Sequence, residues 1–197
     1  GADHSIHMNG GPASSGENVD IATGSAGRVY VVWTGNNVIR LARSTDGGDT
    51  WSTATQIITP TSLLTGKPVL AVDGTGTLHL VWTEWGTGWD ICYARSSDGG
   101  TTWSNRVCGN DTGDQQKPDI AVDAVSGWVH AVWEDNRSGN SEIYYVSSPT
   151  GGLSWGTATK ISGSGVPAVE PAVAAYDNGL VYAVWQDGRN GNDDIYY

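Results

Sequence analysis

The pentapeptides VYVVW, LHLVW, VHAVW and VYAVW end at Trp33, Trp82, Trp133 and Trp185. Their apolar positions alternate only in part. This pattern predicts strands covered on both faces rather than half-solvated ones. A short apolar segment precedes each: VDIAT from Val19, VLAVD from Val69, DIAVD from Asp119 and AVAAYD from Ala172. A third segment follows each: VIRLARS, DICYARS, EIYYVSS and finally DIYY. A tight turn then leads into WSTATQII, WSNRVC and WGTATKI. No long stretch has apolar residues at helical spacing.

The turns are themselves repeats. STDGGDTW begins at Ser44, SSDGGTTW at Ser96 and SPTGGLSW at Ser148, 52 residues apart each time. Four strands per unit at this period predict an all-β β-propeller of four-stranded antiparallel blades, with four blade repeats per chain. The reading is one domain over 1–197, with blades over 17–60, 66–109, 117–162 and 170–197. The fourth unit stops at its third strand. The opening SIHMNGGPASSGENV aligns without gaps within the stretch that starts at Thr157, which places Met8 on Ile161 and Glu17 on Glu170. Ser5 to Asn9 therefore reads as the outer strand that completes the fourth blade and removes two unpaired edges.

The octapeptide has a local logic. Asp46 and Asp98 accept backbone hydrogen bonds within their own turns. The glycine pairs, including Gly48, Gly100 and Gly152, supply positive φ. Thr50 and Thr102 hold the returning strand, and Trp51, Trp103 and Trp155 fold back over the hairpin. Ser44, Ser96 and Ser148 open the turns. In the third copy Thr150 replaces the aspartate, which predicts a weaker cap.

Composition sharpens this reading. Ten Trp, eight Tyr, no Phe and 28 Gly suit strands and tight turns. A net charge of −11 argues against nucleic acid and, less strongly, against anionic ligands. No apolar run is long enough to cross a membrane, so no membrane insertion is expected. Cys92 and Cys108 lie symmetrically about residue 100, inside the second turn. A hairpin there would set them across neighbouring strands, which leaves a disulfide or two unpaired apolar thiols as the alternatives.

SxDGGxTW on a four-stranded repeat resembles the Asp-box, or bacterial neuraminidase, repeat of sialidase-like propellers. WEDNRSGNSEIYY and WQDGRNGNDDIYY resemble loops of secreted Asp-box arrays, which implies a secreted or cell-surface protein. The resemblance implies that the boxes are structural. It also implies that ligands bind the opposite face, where loops join second to third strands and one blade to the next.

On that face the second blade offers Glu84, Trp85, Trp89 and Asp90. An exposed tryptophan pair beside a carboxylate suits stacking on a sugar ring. The alternative is that the rings fill the axial channel or a contact between blades. The third and fourth blades offer Glu134, Asp135, Arg137, Asn140 and Glu142, then Asp187, Arg189, Asn190, Asp193 and Asp194. Repetition of D-x-R favours pairing of each arginine within its own loop. The other readings are polar recognition of a glycan through Arg137, Asn140, Arg189 and Asn190, or calcium held by Asp187, Asp193 and Asp194, with the interblade loop GNDTGD from Gly109 to Asp114 as a similar candidate. No other cofactor is indicated. His79 and His130 occupy matching strand positions and read as packed. Tyr144, Tyr145, Tyr196 and Tyr197 also recur in register.

A sialidase needs three arginines around the substrate carboxylate, and only Arg137 and Arg189 come from suitable loops. Generic glycoside hydrolysis needs two carboxylates, for which Glu84, Glu134 and Asp135 are the candidates. Three readings stand. The first is a non-catalytic propeller that binds a carbohydrate or cell-surface ligand. The second is a sialidase-like glycoside hydrolase or part of one. The third is a structural or assembly module. Monomer and strand-exchanged homodimer are both open.

Overall fold

In the first blade β1 (Glu17–Thr23), β2 (Val29–Gly35), β3 (Val38–Ser44) and β4 (Thr55–Ile58) form one antiparallel sheet in chain order. The second has β5 (Leu64–Val72), β6 (Leu78–Trp85), β7 (Trp89–Ser96) and β8 (Val107–Cys108). The third has β9 (Gln115–Val122), β10 (Val129–Asp135), β11 (Glu142–Ser148) and β12 (Thr159–Lys160). The fourth has three strands, β13 (Ala168–Tyr176), β14 (Leu180–Asp187) and β15 (Asp194–Tyr196). The computed structural model describes residues 17–109, 111–163, 165–177 and 179–197. The expected closing strand at Ser5 to Asn9 lies outside these residues. Among them there is no helix, and each sheet is one blade of the predicted propeller.

The blades stack through their inner strands: β1 packs on β5, β5 on β9 and β9 on β13. Each sheet has a leading face toward the preceding blade and a trailing face toward the next. Tyr30, Val32 and Leu41 on the trailing face of blade 1 meet Leu78, Leu80 and Trp82 on the leading face of blade 2. Val81 and Tyr93 meet Ile120 and Val129 at the next junction, and Val132 and Ile143 meet Val173 and Trp185 at the last. Both faces of a central strand are thus apolar, which explains the incomplete alternation of the sequence. His79 and His130 are buried in the sheets, and each holds a tyrosine hydroxyl, Tyr93 and Tyr145, at 2.8 Å. Burial pushes both imidazole pKa values down, so the neutral form is favoured.

The box turns follow the sequence expectation in detail. Ser44 Oγ donates to Asp46 at 2.7 Å and accepts from Gly48 N at 2.9 Å, while Thr50 N donates to Asp46 at 2.9 Å. Asp98 receives Ser96 Oγ, Thr102 N and Thr102 Oγ1 at 2.8, 2.9 and 2.6 Å. The Gly47–Gly48, Gly99–Gly100 and Gly151–Gly152 pairs all have positive φ. Trp51 and Trp103 donate their indole N–H to Gly48 O and Gly100 O, within their own turns. In the third turn Thr150 Oγ1 accepts from Ser154 N at 2.8 Å, a single hydroxyl standing in for a carboxylate.

Two boundaries differ from the sequence reading. Second strands run past their tryptophans, to Gly35, Trp85, Asp135 and Asp187. Outer strands begin later than expected, at Thr55, Val107 and Thr159. Beside the box a serine replaces the regular ladder. Ser52 N donates to Arg43 O at 2.8 Å and Ser52 Oγ accepts from Arg43 N at 3.1 Å, and Ser104 does the same with Arg95. Cys92 and Cys108 face each other across β7 and β8 and form a disulfide.

Candidate functional site

The turns between second and third strands gather at the end of the blades opposite the boxes. In blade 2 the hairpin closes on Trp85 paired with Trp89, with ring centroids 4.9 Å apart and planes at 73°. Such edge-to-face packing stiffens two large rings in an exposed place. Trp85 is 39% exposed and Trp89 is half-buried. Their turn is tightly packed at its glycines. A Cβ at Gly86 would sit 3.1 Å from an Asp90 carboxylate oxygen, and one at Gly88 would sit 3.3 Å from Asp114.

The loop from blade 2 into blade 3 completes this corner. Asp114 Oδ1 accepts from Trp89 N at 3.1 Å, and Asp114 N donates to Asn136 Oδ1 at 2.7 Å. Asp111 pairs with Arg137 at 2.9 Å. Trp85, Trp89, Asp90, Asp111, Asp114 and Arg137 therefore form one acidic corner around an aromatic pair. Burial, and then the charges of Asp111, Asp114 and Glu84, push the Asp90 pKa above its ordinary value. Asp111 also borders a 320 Å³ cavity between blades 2 and 3, walled by Val81, Tyr93, Trp133 and Trp155. A 570 Å³ groove beside β4 and the second box is lined by none of the corner residues.

The other carboxylates of this end serve the blades. Glu84 Oε1 accepts from Thr61 N at 2.9 Å and from Arg106 Nη1 at 2.8 Å, and Oε2 accepts from Trp82 Nε1 at 3.2 Å. Asp135 accepts from Trp133 Nε1 at 3.0 Å and from Arg137 N and Nε at 3.0 and 2.9 Å. Asp187 accepts from Trp185 Nε1 at 3.2 Å and is clamped by the Arg189 guanidinium. One device thus appears in three blades, an indole donating to the acid two residues on. Arg137 and Arg189 then lie over the Tyr144 and Tyr196 rings, 4.3 and 3.9 Å from their centroids. Burial alone would raise the Asp135 pKa, but its bonds to Arg137 outweigh burial and hold it low. The Arg189 clamp brings the Asp187 pKa to about 2. Glu134 accepts from Glu170 N at 2.7 Å and pairs with Lys117 at 3.0 Å. Glu142 holds Ser138 and Lys160.

A family model described as BNR repeat-like domain matches residues 26–191. The chain belongs to this family. No curated protein matches the sequence significantly. Solved structures do resemble it. A protein of unknown function from Dyadobacter fermentans shares 15% identity at TM-score 0.65, covering 90% of this chain and 64% of that one. A Hadza microbial sialidase shares 18% at 0.61, covering 90% and 43%. A leech intramolecular trans-sialidase, complexed with 2,7-anhydro-Neu5Ac, shares 17% at 0.57, covering 88% and 30%. These likenesses show the fold alone. This BNR chain spans under two thirds of the length of each of the three.

In this BNR repeat-like chain the structure joins Trp85 and Trp89 with Arg137 in one corner. Arg189, Asn190, Asp193 and Asp194 belong instead to the turn of blade 4, where Asn190 donates to the Tyr196 hydroxyl at 2.7 Å. Asn140 is exposed at the blade 3 turn. The one grouping of metal-type ligands among the described residues is Glu84 with Cys92 and Cys108, and the disulfide removes both thiols from it. Asp187 accepts from Trp185 and Arg189 and is paired across β14 and β15 with Asp194. The sequence reading singled out neither Asp111 nor Asp114 individually. The signal was present in GNDTGD, but which blade the loop reaches is a tertiary fact. The sequence reading also missed that Glu84, Asp135 and Asp187 are indole acceptors, for which the recurrence W-x-E, W-x-D, W-x-D was the available signal.

Proposed function

We propose that this BNR propeller chain is a non-catalytic carbohydrate-binding module that takes neutral sugars at the corner of blades 2 and 3. The observation that carries this is the Trp85–Trp89 pair, exposed at Trp85, in a corner shared with Asp90, Asp111 and Asp114. The apolar face of a pyranose stacks on an indole, while the carboxylates accept its hydroxyl hydrogens. Three further points support the reading. Arginines 106, 137 and 189 at this end each already pair with an acid, which leaves them poor receivers for a sugar carboxylate. The net charge of −11 repels anions over a longer range. Glu84, Glu134 and Asp135 hold backbone, indole or cationic partners, an arrangement that suits blade construction better than proton transfer.

The test is retention on immobilised neutral and sialylated oligosaccharides, with turnover of fluorogenic glycosides followed in parallel. Retention on a neutral glycan, lost at least tenfold in Trp85→Ala/Trp89→Ala, supports the proposal. Unchanged retention in that variant sinks the stacking site. Turnover abolished by Glu84→Gln or Asp135→Asn would show a hydrolase instead.

A further inference from the structure

Position 115 breaks the repeat. Gln115 pairs with Asp135 at the start of β9. The matching positions of blades 2 and 4 carry Leu64, paired with Glu84, and Ala168, paired with Asp187. An amide thus stands where the repeat otherwise places an apolar side chain, and it is 2% exposed. Gln115 Oε1 accepts from Ile91 N at 3.2 Å, across the junction of blades 2 and 3. That bond orients the amide: its oxygen faces a donor, so its nitrogen is turned away. Gln115 Nε2 is buried and meets no hydrogen-bond acceptor among the described residues. A buried N–H without an acceptor is costly and rare. Holding Ile91 N does not require an amide. Ile143 is the equivalent residue of blade 3, and there Ser162 Oγ accepts from the backbone N–H at 3.0 Å with a single hydroxyl. The chain around Gln115 is also fitted to it, since a Cβ at Gly109 would lie 2.5 Å from Oε1 and 3.3 Å from Nε2.

Gln115 lines the 320 Å³ cavity between blades 2 and 3. The aromatic walls of this cavity have used their polar atoms elsewhere. The Tyr93 hydroxyl lies 2.8 Å from His79 Nδ1, and Trp133 Nε1 donates to Asp135 at 3.0 Å. Among the described residues no Lys, Arg or His lines the cavity, and Asp111 is the one carboxylate on its border. Val107 of β8 lines it and is 58% exposed, so the cavity reaches solvent beside the outer strand that the Cys92–Cys108 disulfide holds.

We infer that this cavity is a binding site, separate from the tryptophan corner, for an uncharged molecule of one or two rings that carries a single carbonyl or hydroxyl oxygen. The oxygen accepts from Gln115 Nε2, and the rings lie among Val81, Tyr93, Trp133 and Trp155. The volume sits at the lower end of the range for ligand pockets, about 300–1,000 Å³. Water does not answer the site, because a buried water needs about two to four polar partners and the walls are apolar. An anion finds no cation there, and a sugar brings more hydroxyls than one amide can serve. The inference does not rest on sugar binding at the corner.

The test is titration of the chain with acetophenone and 1-tetralone, and with ethylbenzene and tetralin, which keep the rings and lack the oxygen. Calorimetry gives the affinities, and NMR follows the Gln115 side-chain amide. The expected result is that the ketones bind at least about fivefold more tightly than the hydrocarbons, the preference one hydrogen bond confers, and shift that amide. Gln115→Met should erase the preference and leave the hydrocarbons within about twofold of wild type. Ala158→Phe fills the cavity from its own lining and should abolish binding of all four. Urea midpoints check that each variant folds. If Gln115→Met does not, the amide shift in the wild type decides alone. Trp85→Ala/Trp89→Ala should bind the ketones as wild type does, so this site and the sugar corner stand or fall separately. Ketones that fail to bind up to their solubility overturn the inference, as does equal affinity for ketone and hydrocarbon or an unmoved Gln115 amide. Binding that survives Ala158→Phe, or is lost in the double tryptophan variant, overturns it as well, because either places the ligand elsewhere.

Discussion

Arg95 reaches out of blade 2 and donates to Gly151 O in the box of blade 3 at 3.0 Å. Arg43 does the same from blade 1 to Gly99 O at 2.6 Å. The box is therefore a clip between blades as well as a hairpin turn. Replacing Arg95 by Met keeps the aliphatic stem and removes the donor. A charge-assisted hydrogen bond at a partly exposed site contributes about 1 kcal/mol. Urea unfolding of Arg95→Met should show a loss of that size with an unchanged m-value.

The third box offers the reverse experiment. Thr150 supplies one hydroxyl where Asp46 and Asp98 supply two carboxylate oxygens. Thr150→Asp can accept both Ser154 N and Ser154 Oγ. It should raise stability by about 1 kcal/mol. A midpoint at or below wild type would contradict the role assigned to the box aspartate.

How much of this was legible in the sequence divides along a physical line. Anything local to one hairpin could be read: the glycine pairs, the Asp–Thr turn, the Asp–Arg loops and the facing cysteines. What joins segments about 50 residues apart could not. Arg43 and Arg95 stand in register just before their boxes, but nothing in the sequence says that they reach the next box rather than their own. Asp111 and Asp114 were visible as a polar loop, yet their place beside Trp89 depends on how blade 3 docks on blade 2. The inner strands hold a further surprise. Asn18, Lys117 and Glu170 adopt positive φ at register shifts, a bulge that the segments from Val19, Asp119 and Ala172 do not include.

Acid should loosen the boxes. The hydrogen bonds from Thr50 and Ser44 lower the Asp46 pKa from 3.8 to about 2. Asp98 is lowered likewise by Thr102 and Ser96. A depressed folded-state pKa contributes stability that is complete above the unfolded value and lost as pH falls through the folded one. The melting temperature should therefore drop as pH falls from 3.8 toward about 2. Asp187, also held at about 2, adds to this slope. In Asp46→Asn/Asp98→Asn the drop should be shallower, which a series of thermal melts across that window would show.

The Cys92–Cys108 disulfide ties β8 to β7 across a sequence separation of 16. Closing a loop of this length stabilises by about 3 kcal/mol. Cys92→Ala/Cys108→Ala should unfold at correspondingly lower urea, and a reductant should shift the wild type the same way while leaving the variant unmoved.

The central claim rests on two rings, so the most direct measurement is oxidation of individual tryptophans followed by mass spectrometry, with and without a neutral oligosaccharide. The account predicts protection confined to Trp85 and Trp89, with no protection by a sialylated sugar at the same concentration. A glycan that binds while both rings oxidise at their free rate would contradict it.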